Sequence, residues 1–355
     1  MKRTIILSTG GTGGHIFPAI ALKKILESYE FSVKITGDER FSKYHQFDQE
    51  HIFIPSASFS NKSPIAVLKT ILTLAKGFIK SLCLIHKEKP ELVLGFGGYA
   101  TFPVMLASIA LGKKIMLHEA NTVIGKVNKI LLGKAKYLTT GFKAIQGIPL
   151  KYQNKTIYTG NPIREKIYPS KTVLENKFSI LIIGGSQGAK VFSKIIPDMI
   201  ANLPKDIKEK LYISQQVKEE DIELLKKKYS QEHIPYEIKS FFDNMDEKLS
   251  QANLVIARSG ASTISELIKV GLPAIFIPYP TAADNHQYYN AKEIVDQKAG
   301  WLVKESSDSA SQLLQIIKSI HQDLSILSTY SDNLKKLDMD ASNNIAKLIE
   351  QCFTK

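Results

Sequence analysis

A run of glycines between an apolar segment and an amphipathic one constrains this chain more than any other feature. Thr4-Ile5-Ile6-Leu7-Ser8 predicts a short buried strand. Gly10-Gly11-Thr12-Gly13-Gly14-His15 follows, and then Ile16, Ala19, Ile20 and Leu22 through Leu26 fall at helical spacing, so a helix starts near residue 14. Glycine tolerates positive φ and leaves backbone N–H groups uncovered. A helix start adds the positive end of its dipole, and together these make an anion site. The plain alternative is a tight strand-to-helix turn, but a turn alone rarely needs the four glycines present here. His15 sits in the mouth of this loop, and a titratable imidazole beside a phosphate cradle points to chemistry as well as binding.

The same grammar continues through the first half. Ser32–Thr36, Ile52–Ile54, Leu92–Leu94, Lys114–Leu117 and Tyr137–Thr139 are short apolar strand candidates separated by helical patterns. That alternation predicts a parallel sheet with helices on both faces and ligands at the carboxyl ends of the strands. Two further features fall at such ends. Gly95-Phe96-Gly97-Gly98-Tyr99 is a second glycine loop, and His118-Glu119-Ala120-Asn121 follows the strand expected to end at Leu117. His118 reads equally as a satisfied loop histidine or as a catalyst.

Near residue 160 the pattern restarts. Thr159-Gly160-Asn161-Pro162 and Pro169-Ser170 form a turn-rich connector that contains Arg164. Phe178–Ile183 then predicts a strand running into Gly184-Gly185-Ser186-Gln187-Gly188-Ala189 and a helix, with further strands at Leu211–Ser214, Tyr236–Ile238, Leu254–Ala257 and Ala274–Ile277. Two doubly wound domains facing a cleft are the simplest architecture: residues 1–160, residues 161–338, and an amphipathic tail over 339–355 that packs back. In Arg258-Ser259-Gly260-Ala261-Ser262-Thr263-Ile264-Ser265-Glu266, Thr263 and Glu266 fit a capping box. The functional alternative puts a phosphate on that helix start and ribose hydroxyls on Glu266. Asp284-Asn285-His286-Gln287 opens another helix with groups able to read sugar hydroxyls.

Charge is unevenly placed. Residues 1–160 hold 22 Lys+Arg against 9 Asp+Glu, whereas the remainder holds 25 of each, so the whole surplus of +13 lies in the first half. An anionic partner follows. No nucleic-acid motif or set of interleaved aromatic platforms is present, so a membrane surface is favoured over nucleic acid. Between Pro64 and Pro90, Lys69, Lys76, Lys80 and Lys87 line one narrow helical stripe, and Ile71, Leu72, Leu74, Phe78, Ile79, Leu82 and Ile85 cover most of the rest. This is either a core helix with lysines toward water or a helix at a membrane with lysines snorkelling to headgroups. Two distant cysteines, Cys83 and Cys352, give no disulfide framework. Gly11-x-Gly13-x-x-Ile16 lacks the third glycine of a dinucleotide fingerprint, and no P-loop lysine is present, so neither cofactor is expected. Asp338-Met339-Asp340 reads as a solvated loop and not as a metal site; no essential metal is expected.

The set Gly10–Pro18, Gly95–Tyr99, His118–Asn121, Gly160–Arg164, Gly184–Ala189, Ser259–Glu266 and Asp284–Ala291 resembles, in order and along the whole chain, the MurG family of glycosyltransferases. The resemblance implies a GT-B fold and inverting transfer of N-acetylglucosamine from UDP-N-acetylglucosamine to lipid I, giving lipid II. It implies a peripheral protein on the cytoplasmic face of the inner membrane, with cell-wall synthesis proteins among its partners. It assigns Thr12, Gly13, Gly14, Asn121, Arg164, Ser186, Ala261, Ser262, Thr263, Glu266 and Gln287 to the donor, and Phe242 to uracil through its backbone. Gly13, Gly14, Gly97, Gly98 and Tyr99 face the acceptor diphosphate, and Lys69, Lys76, Phe78 and Lys80 the membrane. His15 is the first candidate for the base and His118 the second. The pattern departs at Ala120, where glutamine is usual, and at His286, where some members carry glutamine. A UDP-sugar epimerase, another glycolipid transferase on the same fold and a silent scaffold are the alternatives.

Overall fold

The computed structural model describes residues 2–11, 13–41, 51–58, 63–163, 177–184 and 189–353. The chain divides into two compact units, Met1–Arg164 with Met339–Lys355, and Glu165–Asp338. The first begins β1 (Thr4–Ser8), α1 (Gly13–Ser28), β2 (Ser32–Gly37), β3 (Ile52–Phe53) and α2 (Pro64–Glu88). It continues through β4 (Leu92–Gly95), α3 (Phe102–Ala110), β5 (Lys114–Glu119), α4 (Lys126–Leu131), β6 (Leu138–Thr140) and β7 (Thr156–Tyr158). These strands form one parallel sheet in the order β3-β2-β1-β4-β5-β6-β7. Strands buried on both faces need near-continuous apolar runs, and Ile5, Ile6, Leu7, Leu92, Val93 and Leu94 are all fully enclosed.

The second unit repeats the plan. It contains β8 (Phe178–Ile183), α5 (Phe192–Ala201), α6 (Lys205–Lys208), β9 (Leu211–Gln216), α7 (Ile222–Gln231), β10 (Tyr236–Lys239) and α8 (Met245–Gln251). Then come β11 (Leu254–Ala257), α9 (Ala261–Val270), β12 (Ala274–Phe276), α10 (His286–Asp296), β13 (Gly300–Leu302), α11 (Ser309–Gln322) and α12 (Ser325–Lys335). The parallel order is β10-β9-β8-β11-β12-β13. In each sheet the order reverses at one place, between β1 and β4 and between β8 and β11. Loops leaving such neighbours part in opposite directions and open a crevice at their carboxyl ends.

The last helix, α13 (Ala341–Gln351), belongs to the first unit. Its Ile345, Ala346 and Ile349 join the core beneath α1. Lys114 Nζ donates to Cys352 O at 2.7 Å, fastening the helix end. Asp340 caps it, accepting from Asn343 N–H at 3.4 Å, while Asp338 pairs with Lys269 at 3.0 Å, so the two aspartates serve structural ends and not one shared ligand set. Gly160, at φ +80°, lies where a Cβ would come within 2.9 Å of Met339 Cβ, a close passage of the outgoing and returning chain. Asn161 stays with the first unit, three residues short of the division at 164/165, because its amide is bonded there to β5 and the loop after it.

Helix α2 presents small residues inward. Thr70, Gly77 and Ser81 are buried, and a Cβ on Gly77 would lie 2.0 Å from Pro55 O. Outward it carries Lys69, Lys76, Lys80 and Lys87 together with Ile65, Leu68, Leu72 and Ile79, all exposed. The apolar four are spaced 3, 4 and 7 apart, a ridge adjoining the lysine stripe. Phe78 differs from the expectation for it: it is half-buried and packs on the core with Leu82, because it falls on the opposite side of the helix from the lysines. Among the described residues no helix is long and apolar enough to cross a membrane.

Candidate active site

In the first unit the switch point gathers the expected glycine loops. Gly10 and Gly11 follow β1 at φ +142° and +86°. A Cβ on Gly10 would stand 2.5 Å from Ala100 Cβ, so the loop after β4 can approach only because Gly10 has none. α1 opens at Gly13, which places Gly13 and Gly14 in its first turn, where amides point out of the helix end and the dipole is positive. Gly97 and Gly98, at φ +81° and +75°, end β4's loop, and Tyr99 stands 39% exposed beyond them. The His15 ring lies against Gly98: a Cβ there would be 3.7 Å from Cδ2 and Nε2. His15, Gly13, Gly14, Gly97, Gly98 and Tyr99 are thus brought to one sheet edge.

His118 does not stand at a strand end. β5 runs two residues further than expected, to Glu119, and His118 is wholly buried within it. Asn161 Nδ2 donates to Ala120 O at 3.1 Å, which fixes Oδ1 as the acceptor for His118 Nε2–H at 2.9 Å. Nδ1 then faces the Thr139 hydroxyl at 3.0 Å, whose single proton is shared between it and Leu117 O at 3.2 Å. Burial pushes the imidazole down to about 4. With both nitrogens engaged and no access, His118 is a neutral internal brace, which corrects its place as second candidate base.

Glu119 beside it is equally enclosed. Its carboxylate accepts Asn121 N–H at 3.1 Å, Gly125 N–H at 2.8 Å and Asn128 Nδ2 at 2.9 Å. Burial raises its pKa in spite of these bonds. Asn128 also donates to His118 O at 3.0 Å and lies 3.2 Å from where a Cβ on Gly97 would be. The buried pair thereby fixes the loop carrying Asn121 and the floor under Gly97. Asn128 was not anticipated; its spacing of nine from Glu119 crosses a loop and leaves no periodic trace.

In the second unit, α9 starts from an N-cap at Gly260, with no side-chain cap. Thr263 is therefore already in the first turn and Glu266 in the second, so the capping box does not form. Ala261, Ser262 and Thr263 line the helix mouth, and Ser262 Oγ is buried with no hydrogen-bond partner among the described residues. Ser259 Oγ donates to Gln287 O at 2.8 Å, Asn290 Nδ2 donates to Ser259 O at 3.1 Å, and Gln287 Oε1 accepts Tyr279 N–H at 2.9 Å. Gln287 thus sits next to that helix mouth with its amide NH₂ as the remaining donor. Arg258, unanticipated, braces the region: it donates to Ile277 O and Pro278 O at 3.0 Å, pairs with Glu305 at 2.7 Å and stacks on Phe192 and Tyr279. Phe242 is buried, with Lys239 and Lys248 ammonium groups 5.8 Å from its ring, so only its backbone can meet a ligand. His286 is half-buried and bonds Ala283 O at 2.7 Å. Thr12, Arg164 and Ser186 lie outside the described residues. Among the described residues no group of three or more His, Cys, Asp and Glu is placed to hold a metal.

Two doubly wound units, each with a helix start and a cradle of loops at its switch point, define the GT-B class of glycosyltransferases. Residues 5–140 match the glycosyltransferase family 28 N-terminal domain and residues 179–350 its C-terminal domain, and the chain belongs to that family. It is 39% identical over 358 residues to the UDP-N-acetylglucosamine--N-acetylmuramyl-(pentapeptide) pyrophosphoryl-undecaprenol N-acetylglucosamine transferase of Rickettsia bellii, covering 99% of each chain. The crystal structure of Acinetobacter baumannii MurG superposes with a TM-score of 0.80 at 25% identity, over 99% of this chain and 100% of that one. A UDP-N-acetylglucosamine 2-epimerase structure from Listeria monocytogenes shares the fold at a TM-score of 0.70 and 13% identity, over 99% and 97%.

The internal position of His118 has a measurable consequence. Its folded pKa, about 4, lies below the ordinary imidazole value of 6.5, so between about 4 and 6.5 the unfolded chain binds more protons and stability rises with pH. The contribution is about 3 kcal/mol, complete above pH 6.5 and lost as pH falls through that window. Glu119, shifted the other way, has the opposite slope, so the His118 part is read as the difference between wild type and His118→Gln in denaturant melts at pH 4.5 and 7. A pH slope identical in the two proteins would contradict the assignment.

Proposed function

We propose that this protein moves N-acetylglucosamine from UDP-N-acetylglucosamine to the muramyl sugar of the undecaprenyl-diphosphate acceptor lipid I, producing lipid II. The observation that carries the reading is the 39% identity along nearly the whole chain to the Rickettsia bellii transferase, together with His15 directly after Gly13 and Gly14 and with its ring against Gly98. The second unit takes the donor. Ala261, Ser262 and Thr263 meet it at the α9 start, Glu266 accepts from the ribose hydroxyls, Gln287 donates to the sugar, and the Phe242 backbone meets uracil. The resemblance adds Thr12, Gly13, Gly14, Asn121, Arg164 and Ser186 to the donor set, and of these Asn121 is held by Glu119. Gly13, Gly14, Gly97, Gly98 and Tyr99 receive the acceptor diphosphate.

The chemistry is a displacement with inversion. The acceptor C4 hydroxyl attacks C1 of the donor sugar, the C1–O bond to UDP breaks, and negative charge grows on the leaving diphosphate. A helix N-terminus aimed at that charge stabilises it without reorganising. His15 takes the hydroxyl proton. Purified protein in detergent should release UDP only when UDP-N-acetylglucosamine and a lipid I analogue are both present, with other UDP-sugars far slower. Acceptor-independent conversion of UDP-N-acetylglucosamine would instead identify an epimerase, and no turnover at all a scaffold.

We infer that a lipid acceptor brings the protein to a membrane; the cytoplasmic face of the inner membrane and cell-wall synthesis proteins as partners are what the family resemblance implies. The α2 ridge of Ile65, Leu68, Leu72 and Ile79 with its lysine stripe supports peripheral attachment through the first unit. Each lysine near an anionic surface contributes on the order of 1 kcal/mol. Changing Lys69, Lys76, Lys80 and Lys87 together to glutamine should weaken sedimentation with phosphatidylglycerol vesicles at least about tenfold. High salt should weaken wild type likewise. Unchanged binding would leave α2 as a scaffold helix only.

A further inference from the structure

We propose that Arg40 is a further acceptor-binding residue, donating from its outward edge to the acceptor diphosphate; this rests on the transferase reading above. β2 lies directly beside β1, so the segment after Gly37 emerges next to the first glycine loop. There Asp38, 3% exposed, accepts Gly11 N–H at 3.3 Å, Arg40 N–H at 3.2 Å and Arg40 Nε–H at 2.7 Å, and also pairs with Arg40 Nη2. The guanidinium lies along Gly11, with Nη2, Cζ and Nη1 at 3.6–3.7 Å from where a Cβ would be. Gly11 itself, at φ +86°, holds a backbone conformation that disfavours a side chain there.

The pair is lopsided. The Asp38 side chain is 4% exposed and that of Arg40 45% exposed. The buried carboxylate occupies Nε and Nη2, while Nη1 makes no hydrogen bond among the described residues. A purely structural ion pair has no need to hold a guanidinium half in solvent against a loop that must stay bare of side chains. A docked guanidinium with its outer N–H groups directed away from its anchor is suited to phosphate oxygens, and its rotamer is set before the ligand arrives. The order along the sheet edge is then Arg40, Gly11, the α1 start, His15 and Gly98. An anion on the α1 start has the imidazole on one flank and Arg40 on the other. The acceptor diphosphate is the anion named, because Arg40 belongs to the half that carries the whole basic surplus.

Steady-state kinetics with a water-soluble, short-chain lipid I analogue test this without a membrane. Arg40→Gln should raise the acceptor KM about 10–100-fold, the range expected for losing a charge-assisted hydrogen bond. kcat and the donor KM should stay within about twofold of wild type. Arg40→Lys, which keeps charge but loses the fork, should fall between, as should Asp38→Asn, which frees the guanidinium. An unchanged acceptor KM in folded Arg40→Gln or Arg40→Lys overturns the proposal and leaves a structural pair. A rise in donor KM instead overturns it in favour of the UDP diphosphate. Wild type without lipid I–dependent turnover removes the transferase reading itself, and Arg40's role with it.

Discussion

Everything in the first unit depends on the reversal of strand order between β1 and β4. Two parallel neighbours whose connections run to opposite sides of the sheet leave a gap that no side chain of the sheet fills. The chain lines that gap with backbone. Gly10, Gly97 and Gly98 adopt positive φ, and Gly10 accepts Ala100 where any Cβ would collide. Backbone N–H groups and the α1 start therefore face the crevice, and the side chains that flank them, His15 and Arg40, come from positions the loops leave open.

Loops this rich in glycine are costly to order, and the carboxyl end of β5 shows what holds them. His118, Glu119, Asn128, Thr139 and Asn161 form a buried polar network in which each member has at least one internal partner. A buried charge or amide without partners would be strongly unfavourable; in this network Asn128 Oδ1 alone lacks a partner among the described residues, and the bonds that are made fix one geometry. Through it the loop carrying Asn121, the floor beneath Gly97 and the Gly160-Asn161 connector are positioned together. Gly141 belongs to the same device, since a Cβ there would occupy the Asn161 side chain.

Much of this was legible in the sequence because it is local. The apolar runs at Thr4–Ser8 and Leu92–Leu94 and the glycines after them are strand and loop in the structure, and the restart at Phe178 marks the second unit. What escaped is long-range or short. Three-residue strands such as β7 and β13 are too brief to show a period. The end of β5 was misplaced because His118 and Glu119 are polar, and only their partners at Asn161 and Asn128 make burial tolerable. Thr263 and Glu266 had the spacing of a capping box, but the helix starts at Ala261 after a glycine cap, one turn too early for it. Phe78 shares its helix with the membrane-facing lysines, but its angular position sends it inward. Asp38 and Arg40 carry no motif; they matter because β2 pairs with β1.

The two histidines differ in place: His118 is an internal brace, and His15, at the loop mouth, is the residue proposed to take the proton. The most direct test is kcat at saturating substrates for wild type, His15→Ala and His15→Gln across pH, with thermal melts confirming the fold. The account expects both variants to lose about 10²–10⁴ in kcat, glutamine no better than alanine, with the acidic fall in wild-type kcat absent from both. A His15→Gln protein that keeps near-wild-type kcat and the wild-type pH profile would contradict it, because glutamine can position a substrate but cannot accept its proton.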